Sequence, residues 1–100
     1  MLYSKIGDSD IGFKTIYTSV IEYSKTLPNG IQFCCLGGGS YTGNDLPGKN
    51  YPYGCALILK RNPSAIAVVL FGATETTPLA INLSLSADTW TGWQIYALQK

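Results

Sequence analysis

The side chains that could do chemistry in this sequence are three cysteines, six carboxylates and a lysine behind a glycine-rich stretch, because the chain contains no histidine. The missing imidazole excludes the usual general base, the imidazole metal ligand and the serine or cysteine triads that depend on it. Cys34 and Cys35 are adjacent, so on a strand they would point to opposite faces, whereas a redox pair normally has two intervening residues. We therefore expect reduced cysteines and keep a thiol enzyme only as an alternative.

Residues 43–49 match the first seven positions of the phosphate-binding loop G-x-x-x-x-G-K, in which glycine amides cradle phosphates and the lysine reaches the terminal ones. Asn50 stands where that motif needs Ser or Thr to hold magnesium, and residues 51–54 cannot begin the helix that such a site requires. Asp8 and Asp10 are spaced like the first ligands of a calcium loop, but no acidic residue closes that loop, so we expect a capping role. The sequence predicts a protein that is not an enzyme and needs no metal or cofactor.

Aromatic and amide side chains are concentrated in one long loop, residues 37–54, which contains six glycines, two prolines and three tyrosines. Aromatic faces next to amide and carboxylate groups suit the apolar faces and hydroxyls of sugars. The alternative is that the tyrosines pin the loop onto the domain. The predicted ligand-binding residues are Tyr41, Asn44, Asp45, Asn50, Tyr51, Tyr53 and Trp93.

The elements that must position this loop are one helix followed by strands. Apolar residues from Phe13 to Leu27 recur at the i, i+3, i+4, i+7 spacing, which predicts an amphipathic helix over residues 13–27 after a lead-in at residues 1–12. Pro28 ends that helix. Strands are predicted at residues 31–36, 55–61, 65–71, 79–86 and 91–98. The predicted fold class is α+β, with one N-terminal amphipathic helix packed on a small, mainly antiparallel sheet of about 4–5 strands.

The chain length of 100 residues predicts a single domain, with a β-rich region over residues 29–98. Residues 55–59 and 65–71 are almost continuously apolar, so both faces of these strands must be covered, one by the helix and the other by a second surface or a partner chain. The alternation in residues 79–86 predicts that the leucines and Ile81 face inward and that Asn82, Ser84 and Ser86 face outward. The two continuous apolar runs, 55–59 and 65–71, favour a homo-oligomer.

The overall charge and the lengths of the apolar runs limit the classes of partner. Seven basic and six acidic residues give a net charge of +1, which offers nucleic acid little electrostatic attraction. The apolar runs are far shorter than the roughly 20 residues of a membrane helix, and the N-terminal residues do not form a signal peptide. We expect neither nucleic-acid binding nor membrane insertion.

The C-terminal segment at residues 87–94, with Trp90 and Trp93 separated by small residues, resembles the ending of the knob domains of bacteriophage tail fibres and R-type pyocins. The order of a helical lead-in, residues 27–33, a glycine-rich loop and residues 53–59 is also similar to that family. The resemblance implies a non-enzymatic receptor-binding domain at the tip of a virion fibre, trimeric about the fibre axis and made in the bacterial cytoplasm without a signal peptide. It implies host attachment through a bacterial surface polysaccharide or another envelope receptor. The alternatives are a small intracellular protein–protein assembly module and, third, a thiol or nucleotide enzyme.

Overall fold

The computed structural model describes residues 14–72, 78–86 and 89–96. Within these ranges, seven strands form one sheet in the order β1-β2-β3-β4-β5-β6, and β7 also pairs with β5. The β1 and β2 strands are parallel, and the other neighbours are antiparallel. The elements in chain order are β1 Lys14–Ile16, α1 Val20–Thr26, β2 Gly30–Leu36, β3 Cys55–Asn62, β4 Ala65–Phe71, β5 Leu79–Ser86, β6 Thr89–Trp90 and β7 Gln94–Tyr96.

The predicted α+β fold class is wrong, because the described chain is mainly β and its sheet has more strands than expected. The error lies at residues 13–27, where the apolar spacing predicted one long helix. Residues Lys14–Ile16 instead pair as a strand with Cys34–Leu36, a contact between distant parts of the chain that local periodicity cannot show. The α-helix begins only at Val20, after Ser19, whose hydroxyl accepts a hydrogen bond from the Glu22 amide as an N-cap. Phe13 and the lead-in at residues 1–12 lie outside the described residues.

One face of the sheet, the inner face, carries the hydrophobic core. Its side chains from β2, β3 and β4 are buried beneath α1 and the loop at residues 37–54, which together form the second layer. Each fully buried aliphatic side chain contributes about 1.5–3 kcal/mol to folding. The core includes Val20 of α1 and the sheet residues Cys34, Ala56, Ile58, Val68, Leu70 and Ala80.

The opposite face of the sheet, here called the open face, is apolar as well. Seven of its larger side chains each have between 36% and 71% of their surface exposed. The residues Leu57, Val69 and Ile81 occupy its centre and are half-buried. These seven residues are Ile31, Phe33, Leu59, Phe71, Leu79, Leu83 and Leu85, and the half-exposed Tyr96 of β7, which pairs with Leu79, lies on the same face.

The β5 strand has the reverse of the predicted orientation. Asn82 and Ser84 point to the inner face and are only 6% and 8% exposed, whereas Leu83 and Leu85 lie on the open face and are 40% and 63% exposed. The Asn82 side-chain oxygen accepts a hydrogen bond from the Gly92 amide, so its inward position leaves this polar atom paired. The apolar stripe of β5 therefore belongs to the face that the described chain leaves exposed.

Both ends of α1 are held by residues from other parts of the chain. At its C-terminal end, the Lys60 ammonium group donates hydrogen bonds to the carbonyl oxygens of Ser24, Lys25 and Leu27 at 3.2, 3.0 and 2.7 Å. Lys60 is only 7% exposed, so its positive charge lies under the end of the helix where the free carbonyls need a donor.

The last predicted strand, residues 91–98, is divided in the structure. Thr89–Trp90 and Gln94–Tyr96 are separate short strands that both pair with β5. Gly92 between them has a φ of 86°, a left-handed conformation that favours glycine. Residues 97–98 lie outside the described part of the chain. Within the described part, no helix has the length and apolar character needed to cross a membrane.

Candidate functional site

The loop at residues 37–54 is attached to the N-terminal end of α1 through Asp45. One carboxylate oxygen of Asp45 accepts hydrogen bonds from the Ser19 hydroxyl at 2.7 Å and from the Ile21 amide at 3.1 Å. The other accepts a hydrogen bond from the Tyr41 hydroxyl at 2.6 Å, and that hydroxyl in turn accepts from the Val20 amide at 2.9 Å. The loop therefore supplies acceptors for the first free amides of the helix.

Trp93 joins the same group from the other end of the chain. Its indole N–H donates a hydrogen bond of 2.6 Å to the backbone oxygen of Asp45. Burial, together with the hydrogen bond to Asp45, raises the pKa of the Tyr41 hydroxyl. We call Ser19, Tyr41, Asp45 and Trp93 the anchor cluster, because their hydrogen bonds connect the loop to the helix and to the C-terminal segment. Three of the predicted ligand-binding residues thus have their polar atoms bonded within the domain.

Tyr51 also contacts the interior of the domain. Its ring is buried in the core, and its hydroxyl donates a hydrogen bond of 2.6 Å to the backbone oxygen of Pro78. Burial raises the pKa of this hydroxyl. The contact ties the loop to the start of β5, which is the anchoring role that the sequence left open for the loop tyrosines.

The other three predicted ligand-binding residues, Asn44, Asn50 and Tyr53, are exposed. Tyr53 is 62% exposed, and its ring lies against Gly38, where an added Cβ would be 3.4 Å from two ring carbons. The Tyr53 backbone amide donates a hydrogen bond of 3.3 Å to the backbone oxygen of Asn50, so these two residues belong to the same turn. The structure thus presents an aromatic ring beside a glycine-rich backbone, and ligand binding by these residues stays a prediction.

The resemblance to a phosphate loop does not extend to its geometry. A Cβ at Gly43 would lie 1.9 Å from the backbone oxygen of Thr18, so this glycine is needed for a close backbone approach. The segment after Lys49 forms the short 3-10 turn Tyr51–Tyr53 rather than an α-helix. In the described chain, no α-helix follows Lys49 to offer its N-terminus to a phosphate, and the first amides of α1 that face this loop already donate to Tyr41 and Asp45.

The cysteines lie on both faces of the sheet, as their adjacency predicted. Cys34 is fully buried on the inner face, and burial raises the pKa of its thiol to about 12. Cys35 and Cys55 are directly paired on the open face with their sulfur atoms 3.6 Å apart. Burial, with the contact to Cys35, raises the pKa of the Cys55 thiol, which disfavours the reactive thiolate. Among the described residues, no group of three or more His, Cys, Asp or Glu side chains could hold a metal ion.

The open face contains a concave apolar surface. A groove of about 460 Å³ is lined mainly by apolar side chains of four strands, including Ile31, Leu59, Ala67, Leu83 and Leu85. The apolar runs at residues 55–59 and 65–71 indicated that such a second face exists. The contributions of Ile31, Leu83 and Leu85 were missed, because the alternation in residues 79–86 specifies two faces without specifying which one the helix covers.

Comparison of this chain with protein families, with curated proteins and with solved structures found no match.

Proposed function

We propose that this chain is a non-enzymatic assembly domain that packs its open face against the open face of another copy of itself. The observation that carries the proposal is the orientation of β5. Its leucines form a regular apolar stripe, yet they point away from the core, while Asn82 and Ser84 take the buried positions. An extended apolar patch exposed on a monomer is typical of an interaction surface, and we take this one as the surface that assembly buries.

The size of the open face supports a stable interface. The exposed fractions of its seven larger residues correspond to on the order of 700 Å² of accessible surface, against about 800 Å² per partner in an interface of standard size. Burial of apolar surface is the main favourable contribution to protein association, so an apolar area of this size is large enough for a stable interface.

A second copy is the occupant that best fits this face. The seven exposed residues are all uncharged, and the charged residues that also line the groove are Lys60, which is buried under α1, and the exposed Arg61. The face therefore carries little charge that would select a different protein. Two apolar sheet faces pack directly on each other about 10 Å apart, as in a β-sandwich, and a two-fold axis brings the same patch of both chains together. The trimer expected from the resemblance remains the alternative arrangement of the same face.

Assembly through the open face leaves the loop layer on the other side of the sheet. Asn44, Asn50 and Tyr53 would then remain exposed on each copy, which is what a receptor-binding domain requires. The resemblance of the Trp90 to Trp93 segment to tail-fibre knob domains supports a bacterial surface glycan as the ligand and a virion fibre tip as the setting. We propose this glycan binding as the second function of the domain, supported by the exposed Tyr53 ring beside Gly38.

The assembly proposal is tested by the mass of the chain in solution. One chain has a mass of 10.8 kDa, so light scattering at micromolar concentration separates a monomer from a dimer or a trimer. The double variant Ile31→Glu with Leu85→Glu places charges on the two most exposed positions of the open face and should give a monomer. The control Ser40→Glu with Ser64→Glu adds the same charge at exposed positions outside the open face and should leave the mass unchanged. A monomeric wild-type chain contradicts the proposal.

Glycan binding is tested separately with purified bacterial envelopes. Tyr53→Ala should abolish attachment, whereas Tyr53→Phe keeps the stacking ring and should retain it. The two variants leave the open face intact, so their oligomeric mass should equal that of the wild type. Normal attachment of Tyr53→Ala would contradict the role of this ring without affecting the assembly proposal.

A further inference from the structure

We infer that Cys35 and Cys55 are an oxidation site, at which a reversible disulfide closes the base of the loop at residues 37–54. Cys35 lies near the end of β2 and Cys55 begins β3, directly opposite it in the antiparallel ladder. Their sulfur atoms are 3.6 Å apart although the two residues are 20 positions apart in the sequence. The inference concerns a single chain and goes beyond the proposed function.

The backbone around the two cysteines meets the requirements of a disulfide. The Leu36 amide donates a hydrogen bond of 3.0 Å to the Gly54 oxygen, which makes Cys35 and Cys55 a non-hydrogen-bonded pair of the ladder. The Cα atoms of such pairs lie about 4.5 Å apart, and disulfides span Cα separations of about 4.4–6.8 Å. The sulfur atoms can therefore reach bonding distance by side-chain rotation, without movement of the strands.

The third cysteine is excluded from this reaction by its position. Cys34 precedes Cys35 directly, but its side chain points to the inner face and is fully buried in the core. Cys35 and Cys55 are half-buried on the open face, where a small reagent can approach an unassembled chain. Of the three cysteines, Cys35 and Cys55 therefore form the pair that can be oxidised, and Cys34 stays a buried thiol.

The oxidant that we propose is a low-molecular-weight disulfide such as glutathione disulfide. The thiolate of one cysteine attacks a sulfur of this reagent, forms a mixed disulfide and expels one small thiolate. The thiolate of the other cysteine then attacks the protein sulfur and expels the second. Two protein thiols lose two electrons, the reagent gains them, and the two protons end on the released small thiols.

The bond would change the loop more than the sheet. Because β2 and β3 are already paired, the cross-link adds a covalent closure around the segment that contains the anchor cluster residues Tyr41 and Asp45 and the exposed Tyr53. A closed loop of this length restricts the unfolded chain and raises the melting temperature, by on the order of 10 °C for a domain of this size. Since the pair lies on the open face, oxidation would precede assembly.

The experiment treats the full wild-type chain at low concentration with glutathione disulfide and counts free thiols after denaturation. The expected count falls from three to one, the melting temperature rises on the order of 10 °C without reductant, and dithiothreitol reverses both changes. The raised pKa of Cys55 makes the rate increase as the pH rises above neutral. Three remaining thiols, or a stable glutathione adduct without ring closure, would overturn the inference.

Single variants identify the pair. In Cys35→Ser and Cys55→Ser the remaining thiol of the pair can form only a mixed disulfide with glutathione, so neither variant should form the intramolecular bond or show its rise in melting temperature. Cys34→Ala should lose both of its remaining thiols on oxidation. Since Cys34→Ala removes a core side chain and could prevent folding, peptide mapping of the oxidised wild type gives an independent answer. Because Cys34 and Cys35 share one peptide, fragmentation between them must locate the bond, and a bond on Cys34, or a covalent dimer, would refute the assignment.

Discussion

Replacement of Lys60 by methionine should destabilise the domain strongly, although the position looks like part of a solvent-exposed basic pair with Arg61 in the sequence. The structure places the two side chains differently. Lys60 is buried beneath the end of α1 and donates three hydrogen bonds to its terminal carbonyls, whereas Arg61 is exposed. Lys60→Met keeps the apolar stem of the side chain and removes only the ammonium group.

The magnitude follows from the bonds that are lost. A hydrogen bond with a charged partner contributes about 1.5–3 kcal/mol, and a cation at a helix C-terminus adds about 0.3–1 kcal/mol. The sum for three bonds is reduced because the wild type already bears the cost of burying the ammonium, which is several kcal/mol. We expect a net loss of about 3 kcal/mol, a large part of the 5–15 kcal/mol that stabilises a typical domain.

Urea denaturation measures this loss directly. Since m is about 1–3 kcal/mol/M in urea, Lys60→Met should lower the midpoint by about 1–3 M. Arg61→Met is the matched control, because it removes the same charge from the neighbouring residue and should change stability by less than about 0.5 kcal/mol. Both are best compared in the monomeric Ile31→Glu, Leu85→Glu background, because assembly makes apparent stability depend on concentration. Equal midpoints for the two methionine variants would refute the capping role of Lys60.

Three further predictions concern the loop layer and the core beneath it. Tyr51→Ala should lower the free energy of unfolding by about 3 kcal/mol because it empties part of the core. Tyr53→Ala should lower it by less than about 0.5 kcal/mol because this ring is exposed. Similar losses for the two variants in urea denaturation would contradict the assignment of Tyr51 to the core and Tyr53 to the surface. Asp45→Ala should lower the free energy of unfolding by about 2 kcal/mol. Asp45→Asn should lower it by less, because the side-chain amide oxygen can still accept a hydrogen bond from the first turn of α1. An equal loss for the two variants would show that helix capping is not the cause. The folded-state pKa values of Tyr41 and Cys34 lie above their ordinary values of 10.0 and 9.0, so the folded state holds these protons more tightly. The stability that results from this tighter proton binding is fully present below about pH 9 and is lost as the pH rises further. The melting temperature should therefore fall above about pH 9, and a rise there would contradict the raised pKa values.

The parts of the fold that could be predicted from sequence are those fixed by local patterns. The β4 strand, Ala65–Phe71, has the predicted bounds, and β3 ends one residue beyond the prediction, because continuous apolar runs flank a turn with proline. The long loop also lies where it was expected, between Leu36 and Cys55. The helix prediction was wrong where Lys14–Ile16 pairs with β2, because Ile16 fits the spacing of a helix and the pairing of a strand equally well.

The candidate site was harder to predict because its contacts join distant residues. The anchor cluster brings Asp45 to Ser19 and to Trp93, which are 26 and 48 residues away in the sequence. Composition identified the loop as polar and aromatic, but it could not separate the buried Tyr51 from the exposed Tyr53, two positions later. The same limit applies to β5, whose alternation defined two faces and left open which one α1 would cover.

The short α1 helix has a consequence for the order in which the domain folds. Seven residues are far fewer than the ~12–15 that an isolated helix needs to persist in water. Its N-terminal amides depend on Asp45 and its C-terminal carbonyls on Lys60, so neither end has its partners until the loop has closed and β3 has joined β2. We therefore expect the helix to form late, after the folding transition state has paired the central strands. Substitutions in α1 should accelerate unfolding and leave the folding rate almost unchanged.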